Sequence, residues 1–475
     1  IVFGSELKSI KTFFDKNQLE INYDATKIYN YLGYIPAPLS IYKNVFKVLP
    51  SELIEFHQNK IIKKKYWNQD QNKKSKNYYD ENESLNNIEI FLEKSVKKMM
   101  TADVEVGCFL SGGIDSSLVT CLMQKNSKRK IKTFSVGFNE YEYDESKYAK
   151  KIAEYLDTDH HEIILSVDDM INGINDISKI FDEPFSDSSC LPTQLVSKFA
   201  SKHLKVILSG DGADELFLGY NRYKFSKKIE KINSFLSRDV RKTLQNILRF
   251  IPSNYFDLLS RPIQKTFGLQ GLSHKVEKFS NILDFRDNKD FYKKSIIMDN
   301  KKLEEFIKDD SDFIEKFSDL SLIESVQKND INLYLPNDIL TKVDRSSMKN
   351  SLEVRAPFLD HKLTEILNKI PLSVKFKNNN PKHLLKKILL NYLPASLFNR
   401  PKMGFGIPID RWLRKEKMVG FCDDIFYSTE WEDLNYKNSY VKSVWNDYKK
   451  YKNFPPSKIW LYLMAGLWLK ERKNN

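Results

Sequence analysis

Val104–Ser117 reads VEVGCFLSGGIDSS: an apolar run that breaks into Ser-Gly-Gly and passes at once into residues compatible with a helix. That order predicts a strand, a tight turn and a helix N-terminus, with the turn as a phosphate cradle. Gly112 and Gly113 remove Cβ atoms that would hold the backbone away from an anion, and the helix behind them aims its unpaired amides and positive dipole end at the same place. Ser111, Ser116 and Ser117 add hydroxyl donors. Asp115 is anionic in a loop that should attract phosphate; a magnesium ion resolves the conflict, because a carboxylate plus phosphate oxygens is its preferred setting. The loop is not a Walker A motif, since no Gly-Lys-Ser/Thr tripeptide closes it. Taken alone, the stretch reads first as a Gly-Ser turn between a strand and a helix.

A second stretch repeats the design. Val206–Tyr220, VILSGDGADELFLGY, has a buried strand, a Ser-Gly turn with a further break at Gly212, and a helix carrying Asp211, Asp214 and Glu215. In a parallel sheet the loops at the carboxyl ends of neighbouring strands converge on one crevice. Two acidic, glycine-rich loops facing each other there could hold a magnesium nucleotide from both sides. Lys132–Phe138 (KTFSVGF) is a third strand candidate and His161–Leu165 (HEIIL) a fourth. Strands alternating with helical patterns predict an α/β domain with a mainly parallel sheet and flanking helices.

Five segments occur in a telling order: SGGIDSS, FDEPFSDSS (Phe181–Ser189), LSGDGADELFLGY, VDRSSMKNSLEVRAPFLD (Val343–Asp360) and PKMGFGIPIDRWL (Pro401–Leu413). Together they closely resemble the asparagine synthase family, glutamine-dependent amidotransferases whose synthetase domain carries an ATP-pyrophosphatase loop. The resemblance covers nearly the whole chain and implies an adenine nucleotide α-hydrolase-like fold. Residues 1–75, opening IVFGSELKSI, look like the closing portion of a glutaminase domain, a small β-rich remnant. Residues 76–475 match the synthetase domain, with a helical elaboration over about 224–319 that carries none of the family's segments. Family members with a complete glutaminase domain expose a cysteine nucleophile at the start of the mature chain. Here Cys108, Cys121, Cys190 and Cys422 are scattered through the sequence, without CxxC spacing for zinc. The absent initiator Met reads as a fragment or a processed chain.

Composition agrees with an enzyme of the reducing cytoplasm. At 475 residues and 41% hydrophobic the chain can bury a large core, and no apolar run approaches the roughly 18 residues of a membrane helix. Low cysteine content suits reducing conditions. A net charge of +13 raises the question of nucleic acid. The lysines, however, are interleaved with Asn, Asp and Glu, as in QDQNKKSKNYYDENES, so a solvated surface is expected and no nucleic-acid partner. That same stretch, Gln69–Ser84, reads as an interdomain linker, followed by a first synthetase helix from Asn86.

The chemistry the resemblance implies is adenylation of aspartate, through a β-aspartyl-AMP intermediate, and its amidation by ammonia. In the intact family that ammonia derives from glutamine. ATP and Mg2+ are the implied cofactors, small molecules the implied partners, and a homodimer is compatible with the resemblance. ATP contacts fall on Leu110, Ser111, Gly112, Gly113, Asp115, Ser116, Val136, Ser209 and Gly210, and magnesium on Asp115 and Asp214. Lys382 matches the family's catalytic lysine, with Lys386 and Lys387 as neighbours suited to a helix face. Asp211 stands where well-studied members carry a glutamate, and a carboxylate there could assist proton removal from the incoming ammonia. Arg345, Glu353 and Arg355 could orient an amino acid's charges; an internal ion-pair network suits Glu353 and Arg355 as well. Asp187 and Ser188 could face nucleotide or amino acid. Two alternatives stay open: a relative that amidates another carboxylate (a sugar acid, a peptide or a β-lactam precursor), and a tRNA-modifying ATP pyrophosphatase.

Overall fold

The structure, a computed structural model, describes residues 1–14, 18–68, 79–140, 144–250, 272–296, 313–400, 406–451 and 454–474. An antiparallel hairpin, β1 (Glu52–His57) and β2 (Lys60–Lys65), precedes a five-stranded sheet of β3 (Val106–Phe109), β4 (Lys132–Phe138), β5 (Asp159–Leu165), β6 (Val206–Leu208) and β7 (Glu353–Arg355). The sheet order is β5-β4-β3-β6-β7, with every neighbouring pair parallel. The chain runs outward from β3 through β4 to β5, then crosses back to lay β6 on the other side of β3. The order therefore reverses between β3 and β6, where an open α/β sheet leaves a crevice beyond its carboxyl ends.

Burial on both faces explains the apolar strands. Ile207 enters the larger of two cores, with Phe134, Ile174 and Leu191, while Leu208 enters the other with Cys108, Leu118 and Ile152. Successive β6 side chains thus serve opposite layers, as the period-two geometry of a strand requires. The smaller core is closed by helices Glu81–Met99, Ile114–Lys125 and Ser146–Leu156; the larger takes Val167–Phe181, Cys190–Ala200 and part of the C-terminal helix Pro456–Asn474. No helix of the described residues is long and apolar enough to cross a membrane.

The segment of residues 1–75 was expected to be β-rich. Its described part holds one hairpin, with Leu53, Phe56 and Ile61 exposed, and two helices, Leu7–Lys11 and Tyr23–Leu32. Asn22 caps the second helix through Asp24 N–H and Ala25 N–H, and Gly33 ends it at φ 86°. The helix is continuous with the body of the protein: Tyr29 Oη donates to the Leu461 carbonyl at 2.6 Å, and Ser186 N–H donates to the Gly33 carbonyl at 2.8 Å.

Residues 69–78 of the expected linker lie outside the described residues. Its end is a correction, because the helix expected from Asn86 begins at Glu81. Asp80 accepts from Glu83 N–H at 2.8 Å, and Glu83 accepts from Asp80 N–H at 3.0 Å. This capping box was visible as D-x-x-E ahead of the apolar period. The elaboration, residues 224–319, holds the helices Arg238–Phe250, Leu272–Leu283 and Asn288–Ile296, with turns and coil at 313–319; residues 251–271 and 297–312 lie outside the described residues. Its first helix, Asn221–Phe235, starts directly behind the second glycine-rich loop.

A π-helical stretch, Asp330–Ile339, contains Pro336 and runs into helix Leu340–Met348. Proline cannot donate to the preceding turn, so the backbone widens there. The following helix carries Lys342 into the crevice.

Candidate active site

A cavity of about 840 Å³ is lined by both glycine-rich loops, by Val136 and Phe138 of β4, and by Asp187, Lys342, Lys382 and Arg400. Helix Ile114–Lys125 starts at Gly113 without a side-chain cap, leaving its first amides for an anion. Ser111 N–H donates to Ser116 Oγ at 3.2 Å, and the two hydroxyls lie 3.0 Å apart, so the loop is held by its own serines.

Gly112 also has a packing role. Gly112 sits at φ +72°, and a Cβ there would come within 2.7 Å of Ala149 N, so it lets the loop lie against helix Ser146–Leu156. Arg400 reinforces that contact by donating to the Gly112 carbonyl at 3.2 Å while pairing with Glu145 at 2.9 Å. Gly210 does for the two loops what Gly112 does for one: a Cβ would stand 2.9 Å from both Asp115 Cβ and Ser116 N. The loops touch.

Lys382 joins them. Its ammonium pairs with Asp115 of the first loop and, at 2.7 Å, with Asp214 of the second. The residue caps helix His383–Leu389 at φ 54°, and its N–H donates to the Phe217 carbonyl at 3.1 Å, which ties it to the second loop. Burial alone would pull the Lys382 pKa down, but Asp115 and Asp214 together raise it above the usual lysine range. Among the described residues no group of three or more His, Cys, Asp or Glu is placed to hold a metal by itself. Two carboxylates, one from each loop, do fit magnesium, which keeps waters and takes its other oxygens from phosphate.

A second buried ion pair lies across the cavity. Lys342 Nζ is 2.8 Å from Asp187 Oδ2 and 2.8 Å from Ser189 Oγ. Burial pushes the Asp187 carboxyl up, and the Lys342 ammonium beside it brings it on balance below the usual range. Burial raises the Asp211 carboxyl above the usual carboxylate range. It likewise pushes Glu215 up to about 7, against the hydrogen bond that Tyr220 Oη donates at 2.7 Å.

The comparisons fit this geometry. A family model, asparagine synthase, matches residues 87–470. Asparagine synthetase (glutamine-hydrolyzing) 1 of Bacillus subtilis is 31% identical over 98% of this chain and 71% of the relative. The chain belongs to the asparagine synthase family. As a member it is a carbon–nitrogen ligase of a family that couples ATP to amide formation. A Methanocaldococcus jannaschii protein, provisionally named asparagine synthetase (glutamine-hydrolyzing) 2, is 36% identical over 73% of this chain and 65% of its own length. Amidase chyE of Penicillium rubens is 26% identical over 78% and 60%. The chain thus spans between 60% and 71% of these three relatives' lengths.

Within this asparagine synthase fold the cavity gathers Leu110, Ser111, Gly112, Gly113, Asp115, Ser116, Val136, Ser209, Gly210, Asp211, Asp214 and Lys382. Arg345, Glu353 and Arg355 are not among its lining residues. Arg345 pairs with Glu6 at 2.7 Å, tying helix Leu340–Met348 to the first residues of the chain. Arg355 pairs with Glu353 at 2.7 Å along β7 and donates to the Met99 and Thr101 carbonyls at 2.7 and 2.9 Å. These are the internal contacts weighed for Glu353 and Arg355 beside substrate binding. Pro401–Phe405, the front of the PKMGFGIP segment, lies outside the described residues. Lys342 was not anticipated; its signal was its place directly before VDRSSM, one helical turn after Asp338.

Proposed function

We propose that this chain adenylates the side-chain carboxylate of aspartate with ATP and converts the acyl-adenylate to asparagine with ammonia. The observation that carries the reading is one buried lysine, Lys382, held between an acid from each glycine-rich loop in a single cavity. The first amides of helix Ile114–Lys125 and the Ser111 and Ser116 hydroxyls hold phosphate oxygens, and Val136 and Phe138 flank the adenine. Asp115 and Asp214 would hold Mg2+, which when bound neutralises charge on the triphosphate. The Lys342–Asp187 pair offers a cation for the amino acid's carboxylate and an anion for its ammonium group. The substrate's side-chain carboxylate oxygen attacks the α-phosphorus, and the bond from that phosphorus to the pyrophosphate oxygen breaks. Lys382 meets the negative charge that develops on the departing group. Ammonia then attacks the acyl carbon, the carbon–oxygen bond to AMP breaks, and Asp211 takes the proton that nitrogen loses.

The test is exchange of labelled pyrophosphate into ATP with a panel of carboxylic acids, which reads adenylation before any nitrogen donor enters. Exchange should depend on aspartate. Asp115→Asn and Asp214→Asn should each raise the magnesium needed for half-maximal exchange about tenfold or more. Wild-type magnesium dependence in both variants would remove them as ligands. Exchange driven only by another acid would favour the second reading, amidation of a different carboxylate, which the likeness to the Penicillium amidase supports. Retention of tRNA at moderate salt would favour a nucleic-acid substrate instead.

The donor can be tested on the same polypeptide. Its four cysteines are all buried. Burial raises Cys108 and Cys121 to about 12 and drives Cys190 and Cys422 further above the usual thiol range, so none offers a thiolate near neutral pH. These 475 residues should therefore make product from ammonium, faster as pH rises toward the ammonia pKa, and none from glutamine. Release of labelled glutamate from labelled glutamine by the purified polypeptide would contradict this.

A further inference from the structure

Lys382, Lys386 and Lys224 all line the cavity, but they are balanced very differently. Lys382 has Asp115 and Asp214. Lys386 donates to a neutral oxygen, Asn380 Oδ1, at 2.6 Å, and neither it nor Lys224 forms an ion pair among the described residues. Their neighbour Lys387 is instead paired with Glu81. Burial, then the charges of Lys224 and Lys382, bring the Lys386 pKa below the usual lysine range. A wall that collects cations without matching carboxylates is arranged for an anionic ligand.

Charge balance identifies the part of the ligand. A nucleoside triphosphate carries about four negative charges, of which magnesium neutralises two. Asp115, Asp214 and Lys382 together contribute one further negative charge, two carboxylates against one ammonium. The outer phosphates would meet a net anionic triad unless other cations faced them, and a lysine ammonium suits phosphate as a point charge. We propose that Lys224 and Lys386 seat the terminal phosphates of ATP and retain pyrophosphate after it leaves. This inference rests on the adenylation reading. It gives a chemical role to the first residue of the helical elaboration, which enters the site on helix Asn221–Phe235.

The experiment is calorimetric titration of the whole chain with ATP, pyrophosphate and AMP in excess magnesium, for wild type, Lys224→Gln, Lys386→Gln and the double variant. Lys387→Gln is the control, thermal melts check folding, and Lys386→Arg tests rescue. Pyrophosphate and ATP should bind about tenfold or more weakly to the double variant, AMP should be unchanged, and Lys386→Arg should stay near wild type. The proposal is overturned if wild type binds no pyrophosphate, if the double variant binds it within about twofold of wild type, or if AMP weakens in step. Failure of the adenylation reading looks different: wild type would then exchange no pyrophosphate with any acid, whatever the titrations show.

Discussion

Lys382→Ala is expected to slow pyrophosphate exchange about 10²–10³-fold while changing ATP affinity less than about threefold. The asymmetry follows from where the charge is needed. In the resting protein Lys382 is matched by Asp115 and Asp214, so most of its attraction is already used. Charge developing on the leaving pyrophosphate is a new partner present only as the bond breaks, and only such an interaction accelerates the step. Because the two acids raise its pKa, the ammonium is fully charged through the neutral range. Lys382 should therefore contribute no limb to the pH profile of exchange between about pH 6 and 9. The variant also leaves two carboxylates without their shared cation, which should lower unfolding free energy by about 1–3 kcal/mol. Thermal melts with and without magnesium check this, since the divalent ion can replace the lost charge. Exchange and ATP affinity falling together would make Lys382 a binding residue. A larger loss in Lys387→Ala, whose side chain is paired with Glu81, would move the role off this lysine altogether.

How much was legible in advance divides along the range of the interactions. The two glycine-rich loops, the parallel sheet and β4 from Lys132 to Phe138 were readable because each depends on local pattern: an apolar run, a glycine break, acids at a helix start. β7 was not, being three residues long and recognisable only once β6 lies beside it. The Lys342–Asp187 pair joins residues 155 positions apart, and nothing near either shows the other. Arg345, Glu353 and Arg355 illustrate the converse. Charged residues inside a family segment suggest a ligand, yet Arg355 is used on backbone carbonyls at the end of helix Glu81–Met99. Residues 1–75 were read as a remnant because IVFGSELKSI and the proline-punctuated stretch after it look like the closing portion of a glutaminase domain. Tyr29 and Ile41 nevertheless lie in the same core as Trp468.

Gly219→Ala should cost about 10²-fold or more in exchange, although the substitution adds one methyl group. A Cβ at this position would lie 1.9 Å from Asp214 Oδ1 and 2.2 Å from Lys382 Cε, far inside van der Waals contact. The backbone cannot retreat cheaply, because Gly219 N–H donates to the Asp214 carbonyl at 2.8 Å and closes the turn that presents the acid. Both side chains must therefore swing away, and the link between the two loops opens at Lys382. Gly219 is not in the left-handed region, so alanine is conformationally acceptable there and the effect isolates crowding. Crowding of this kind should also lower stability by about 1–3 kcal/mol. Gly420→Ala is the matched control. It lies within helix Glu416–Ser428, a Cβ there would meet nothing within 4 Å, and it should leave exchange unchanged while adding about 0.5–1 kcal/mol of stability. The measurements are exchange rate and thermal melting for both variants. If Gly219→Ala melts within a degree or two of wild type and exchanges at its rate, the Asp115–Lys382–Asp214 link does not need its observed geometry, and the role given to Lys382 falls with it.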